Sequence, residues 1–162
     1  MPEKKQPRRA RASLIDRLID HAPRETREIR PLRTLNREAF RAAIRRDLGW
    51  LLNTRTSLAT DDFDDRELTV LEYGIPDFGG FSPENEEALE QMAQRVSRAI
   101  TAYEPRLEGV HVEMALEMDT ERRLKMIISA VMAVGEFREP VSFLTIFQKD
   151  TGEMEIHDHE AI

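Results

Sequence analysis

From Val110 to about His157, runs in which apolar side chains recur at every second position are separated by turns. Val110, Val112, Met114, Leu116 and Met118 alternate with His111, Glu113, Ala115 and Glu117. A period of two puts one set on each face of an extended chain, so a half-buried strand is expected here. Asp119-Thr120-Glu121-Arg122 supplies a turn. Leu124, Met126, Ile128, Ala130 and Met132 then continue as a second strand, with Ile127 and Val131 adding apolar groups compatible with cover on its other face too. Gly135-Glu136 turns the chain again. Pro140 opens a third strand, with Val141, Phe143, Thr145 and Phe147 set against Ser142, Leu144, Ile146 and Gln148. Asp150-Thr151-Gly152 is a tight-turn signal, and Glu153 to His157 forms a short fourth strand. Such short connections imply an antiparallel meander.

The N-terminal part follows the helical period. Ser13 to Asp20 reads as a helix of about two turns, with Ser13 as cap and Asp16 three residues on, close to a capping box. Leu14, Ile15, Leu18 and Ile19 form its apolar stripe. So short a helix is not stable alone, and its stripe must dock either on its own domain or on a partner. Pro23 ends it, and a polar linker runs from Arg24 to Arg33. A second helix begins at Thr34 or Asn36 and runs to about Asn53, with Phe40, Ala43, Ile44, Leu48, Leu51 and Leu52 on one face and Trp50 beside that stripe. A third begins at Ser82-Pro83-Glu84, a cap followed by Pro and acids in the first turn. Leu89, Met92, Ala93, Val96, Ile100 and Tyr103 mark its buried face. Pro105 disfavours helical geometry at Glu104, so this helix should end near Tyr103. Glu104-Pro105-Arg106 then sets a carboxylate and a guanidinium at a rigid corner between helix and strand. Their partners come either from this chain or from another.

Between the second and third helices, residues 54–82 show no sustained period. They hold an acidic cluster (Asp61, Asp62, Asp64, Asp65, Glu67), the short apolar piece Leu68 to Gly74, and a Pro/Gly-rich stretch with Phe78 and Phe81. An irregular segment of this length is uncommon in a small domain unless it is functional or mobile. The whole pattern is an α+β domain, with amphipathic helices packed on one face of a three- to four-stranded antiparallel sheet. Residues 1–33 form a basic arm, short helix and linker, 34–157 the domain, and 158–162 a tail.

Composition narrows the function. The 162 residues include no cysteine, which excludes disulfides and thiolate chemistry. No apolar run approaches the length of a membrane span, and no apolar stretch follows the basic N-terminus as a secretory signal requires. The net charge of −7 divides unevenly. Lys4, Lys5, Arg8, Arg9 and Arg11 against Glu3 leave residues 1–11 at +4, and the rest at −11. An acidic body argues against a nucleic-acid-binding domain, and the arm reads as a solvated tail or as a contact to phosphate.

Familiar catalytic patterns are missing. There is no Gly-rich phosphate loop and no G-x-S-x-G elbow. His157-Asp158-His159-Glu160 resembles a ligand set but lies at the chain end, without second-shell support. The Asp61–Glu67 cluster lacks calcium-loop spacing and reads as a charged loop. A glycosidase needs two carboxylates, one with a raised pKa. Glu104 stands alone, beside an arginine that favours its ionised form.

Four segments nevertheless carry a resemblance. Ser13 to Leu18, Arg46-Asp47-Leu48-Gly49-Trp50-Leu51-Leu52-Asn53-Thr54-Arg55, Val70 to Asp77 and Tyr103-Glu104-Pro105-Arg106-Leu107 resemble, in order, the signatures of the TssE family, the small baseplate subunits of bacterial type VI secretion systems. The wider family includes a baseplate-wedge protein of contractile-tail phages and carries a historical lysozyme label. Gly49 departs from the pattern, standing where a charged or polar helix former is expected.

The resemblance implies an interaction protein with no cofactor, no metal, no nucleic-acid partner and no membrane insertion. It implies that Glu104, Pro105 and Arg106 contact the bundle of the larger wedge subunits TssF and TssG, their charges completed in trans, with TssK further out. It further implies a sheet edge that accepts strands from the sheath proteins TssB and TssC. Val141, Phe143, Thr145, Phe147, Met154 and Ile156 are the expected edge, and Leu14, Ile15, Leu18 and Ile19 the docking helix. The setting is cytoplasmic, in a baseplate at the inner face of the cytoplasmic membrane. The alternatives are a peptidoglycan-cleaving hydrolase using Glu104 and a phosphate-binding module using the basic arm.

Overall fold

The computed structural model describes residues 10–19, 24, 34–77, 85–117, 123–135, 137–147 and 152–159. In chain order the elements are β1 (Ala10–Arg11), α1 (Leu14–Leu18), β2 (Thr34–Leu35), α2 (Arg37–Leu52), α3 (Thr60–Asp65), a single 3-10 turn (Val70–Glu72), α4 (Glu86–Tyr103), β3 (Leu107–Glu117), β4 (Arg123–Val134), β5 (Phe137–Phe147) and β6 (Met154–His159).

The strands β3 to β6 form one antiparallel sheet in the order β3-β4-β5-β6, the expected meander. Register alternation sorts its faces. Val112, Met126, Ile128, Met132, Val141 and Phe143 point into the core beneath the helices. Helix α2 covers the β6 side and α4 the β3 side. The opposite face carries Ile127, Val131, Leu144 and Ile146 half-buried with Ser129 exposed, and no described helix covers it. One-sided cover is the usual state of an antiparallel sheet.

Both long helices are fixed by asparagine caps. The Asn36 side chain accepts the Ala39 amide at 2.8 Å, and Asn85 accepts the Glu87 amide at 3.0 Å. Such caps satisfy donors that the first helical turn leaves orphaned. The expected Ser82-Pro83-Glu84 start lies outside the described residues, as do Phe78, Phe81 and the Asp119–Arg122 turn.

Three boundaries differ from the sequence reading. Asp61, Asp62, Asp64 and Asp65 of the acidic cluster lie on helix α3, not in a loop, and Glu67 follows it. The helix's own Phe63 is fully buried, and Asp61 and Asp62 occupy its first turn, where carboxylates oppose the helix dipole favourably. Residues 10–16 belong to the domain, because β1 pairs with β2 and Ala10 and Ala12 lie in the core. Asp158 and His159, expected in the tail, are part of β6. Among the described residues no helix is long and apolar enough to cross a membrane.

Segment 66–77 has little regular structure but is firmly held. Ile75 is fully buried and bridges Arg55, its amide donating to the Thr54 carbonyl at 3.0 Å and its carbonyl accepting the Thr56 amide at 3.0 Å. Gly74 makes this approach possible. Its φ is +126°, and a Cβ there would lie 2.6 Å from the Thr54 carbonyl oxygen.

Candidate docking surface

Helix α4 stops at Tyr103, as Pro105 dictates, and Glu104 closes it by donating its amide to the Ile100 carbonyl at 2.8 Å. The Leu107 amide donates to the Glu104 carbonyl at 3.1 Å, and the Ala133 amide to the Arg106 carbonyl at 2.9 Å, which ties the corner to β4. Glu104 is only 3% exposed. Its Oε1 accepts from Arg106 Nε at 2.6 Å, and its Oε2 accepts from the same guanidinium. Arg106 also donates to Asp47 Oδ2 at 2.6 Å and lies over the Phe40 ring. Burial disfavours the charged guanidinium, but hydrogen bonds and charge from Glu104 and Asp47 outweigh it and raise its pKa further.

The chain of charges continues. Asp47 Oδ1 accepts from Arg46 at 2.6 Å, and Arg46 donates to Asp16 Oδ1 at 2.6 Å. Glu104, Arg106, Asp47, Arg46 and Asp16 thus form one line from the corner to α1. The expectation that the corner's charges are completed in trans is corrected: Arg106 satisfies Glu104 within the chain and takes its second carboxylate from α2. The carboxylate weighed as a general acid therefore has both oxygens occupied.

Asp16 is the residue that fastens α1. It completes a capping box with Ser13, whose amide and hydroxyl reach Asp16 Oδ2 at 3.3 and 2.7 Å. Burial pushes its pKa up, but the Ser13 hydroxyl and Arg46 pull it below the ordinary carboxylate value. The apolar stripe faces the other way. Leu14 is 67% and Leu18 73% exposed, and Ile15 and Ile19 are also exposed. Helix α1 is therefore latched in cis by a charge while its hydrocarbon stays in water. Trp50, also exposed, lies against Arg46, the guanidinium 4.9 Å from the ring centre. On the other side of the corner is Tyr73, packed edge-on to Tyr103 with ring centres 5.1 Å apart. Its phenol pKa is raised by burial and by the nearby charges of Asp47 and Glu104. Exposed α1 and Trp50 are tied to the corner through Arg46 and Asp47, and Tyr73 with the adjoining Val70-Leu71 through Tyr103.

The sheet edges lie elsewhere. Strand β5 is paired to β4 and β6 on its two sides, and Val141, Phe143 and Thr145 are core residues. The expectation that β5 residues Val141, Phe143, Thr145 and Phe147 form an open edge is thereby corrected; in a meander the last strand takes that place. Met154 and Ile156 do lie on the edge strand β6. The Asn53 side chain donates to the Met154 carbonyl at 2.9 Å and accepts its amide at 2.8 Å, so these groups face away from β5. Alternation then turns the backbone groups of Ile156 and Asp158 outward as well. Asp158 is held by Arg41 at 2.8 Å and Arg45 at 2.7 Å, and the described residues contain no cluster of metal ligands. Sequence reasoning missed Asp47, Asn53 and the exposed Val70 and Leu71. No local periodicity signals the first two, and the others sit in a segment read as apolar and as part of the resemblance, without a role for either side chain.

These features define a scaffold whose exposed apolar groups gather around an internally neutralised corner. The family model of baseplate wedge protein gp25 matches residues 38–136, and the chain belongs to that family as a structural baseplate component. Among solved structures, one chain of "The baseplate complex from the type VI secretion system" is similar at 16% identity, with a TM-score of 0.49, over 69% of this chain and 97% of that one. No curated protein matches the chain.

Proposed function

We propose that the protein is the small wedge subunit of a type VI secretion baseplate, joining the larger subunits TssF and TssG to the sheath of TssB and TssC. Membership of the gp25 wedge family carries this reading, and the four ordered TssE-like segments direct it to type VI secretion. TssK lies further out in this assembly, which forms in the cytoplasm at the inner face of the cytoplasmic membrane. The band of α1, Glu104-Pro105-Arg106 and the neighbouring aromatics is the wedge side. With its charges satisfied internally, the corner acts as a rigid shape, and the exposed Leu14, Ile15, Leu18 and Ile19 supply apolar area.

The sheath side is the outer edge of β6. An incoming strand can pair with the outward groups of Ile156 and Asp158, because an unpaired edge is a template for strand addition. Asn53 occupies the edge at Met154 and so sets where such a strand stops. The test is a proline at Ile156, whose amide faces outward. Ile156→Pro is expected to block TssB–TssC sheath assembly on reconstituted baseplates while costing less stability than Glu155→Pro, whose amide faces β5. Sheath assembly unchanged by Ile156→Pro would remove β6 as the receiving edge.

A further inference from the structure

The internal closure of the corner raises the question of what supplies binding energy beside it. Charges already paired within one chain offer little to a second. Interface energy concentrates instead in a few apolar or aromatic anchors. Two such groups adjoin the corner: Val70 is 85% and Leu71 82% exposed.

They are held stiffly. The Thr69 amide donates to Glu72 Oε2 at 2.9 Å and the Leu71 amide to Thr69 Oγ1 at 3.3 Å, closing a capping box around the turn. The Tyr103 hydroxyl donates to the Thr69 carbonyl at 2.9 Å, and Gly74 fixes the following chain against Thr54–Thr56. An anchor ordered before binding loses little entropy on binding. The chain flanking the turn is acidic, with Asp61, Asp62, Asp64, Asp65, Glu67, Glu72 and Asp77; Asp62, Asp64 and Asp77 are paired with Arg66, Arg95 and Arg55, and Asp65 and Glu67 lie nearest the turn in sequence. The neighbouring cations are turned inward, Arg95 onto Asp64 and Arg98 onto the carbonyls of Asp64 and Arg66. This charge opposes a second copy of the same face and selects a cationic partner.

We propose that Val70 and Leu71 are a preformed apolar anchor that inserts into an apolar cleft rimmed by Lys or Arg on the wedge partner. The inference rests on the wedge reading above and names the side chains that would carry it. The test is co-purification of the full-length protein with co-expressed TssF and TssG, comparing wild type, V70S/L71S, and D65K/E67K at the rim. The anchor predicts a loss of at least about tenfold in bound TssF–TssG for V70S/L71S, with an unchanged melting temperature. It also predicts a smaller, salt-dependent loss for D65K/E67K. Wild-type recovery together with V70S/L71S recovery at the same level overturns the anchor and leaves the wedge reading standing. Failure of wild type to retain either subunit overturns the wedge reading itself.

Discussion

Arg106 holds two carboxylates at once, and this decides what a substitution there does. Arg106→Ala strands the buried Glu104 carboxylate and leaves Asp47 with Arg46 as its arginine partner. Breaking one partner of a buried pair costs about 3–5 kcal/mol, so the melting temperature of Arg106→Ala should fall markedly and its loss of binding would report stability as much as docking. The double change Glu104→Gln with Arg106→Gln removes both charges together and should cost less than Arg106→Ala alone. A double variant at least as unstable as the single would contradict this account of the corner. Gly74 makes a second residue-scale prediction. With a φ of +126° and a clash at 2.6 Å, Gly74→Ala should lower stability by at least about 1–3 kcal/mol, read from the denaturant midpoint; an unmoved midpoint would show that the segment relaxes. At this scale the sequence revealed only half of the site. Glu104 and Arg106 stand out because Pro105 fixes them at an element boundary, whereas Asp47 lies 59 residues from Arg106, and nothing local announces that distance.

Elements with a sustained period were legible, as were the short α1 and β6, flanked by a cap and a turn. The head of α2 follows from its cap and the four strands from alternation and turns, but α4 is capped by Asn85, which no expectation singled out. Helix α3 and the turn at Val70–Glu72 are too short to show a period, and their positions depend on Phe63 and Tyr103 packing. In α1 the apolar stripe left docking in cis or in trans open, and within the chain the residue that fastens the helix is Asp16. Its depressed pKa gives a pH dependence. Stability contributed by Asp16 is fully present above its ordinary value of 3.8 and is lost as pH falls through the lower folded value. Amide exchange across residues 13–19 should therefore accelerate as pH drops below that point, beyond the intrinsic pH effect, and Asp16→Asn should show fast exchange already at neutral pH. Equal protection in both proteins at neutral pH would show that the latch lies elsewhere. In α2, Gly49 faces open space where a Cβ would touch nothing within 4 Å. Gly49→Ala should stabilise the domain by about 1 kcal/mol, measured by thermal or denaturant unfolding, and a loss of stability would show a packing constraint there.

For the whole molecule, the meander follows from the short strand connections, and with it the edge. Strand β6 comes last and pairs only with β5, so the outward groups at Ile156 and Asp158 lie on the far side of the sheet from β3. The proposed docking band was less visible, because it draws α1, α2, the 66–77 segment and the α4–β3 corner from separate stretches of chain. One line of charges holds α1, α2 and the corner in fixed relation, and the Tyr103–Thr69 hydrogen bond ties in the 66–77 segment, which suits the proposed role between two neighbours. The most direct test of this account is hydrogen exchange of the protein alone and in complex with TssF and TssG. New protection is expected at residues 14–19, 70–73 and 104–107, with β6 still exchanging until sheath proteins are added. Protection confined to β6 or to the uncovered sheet face on binding the wedge subunits would contradict it.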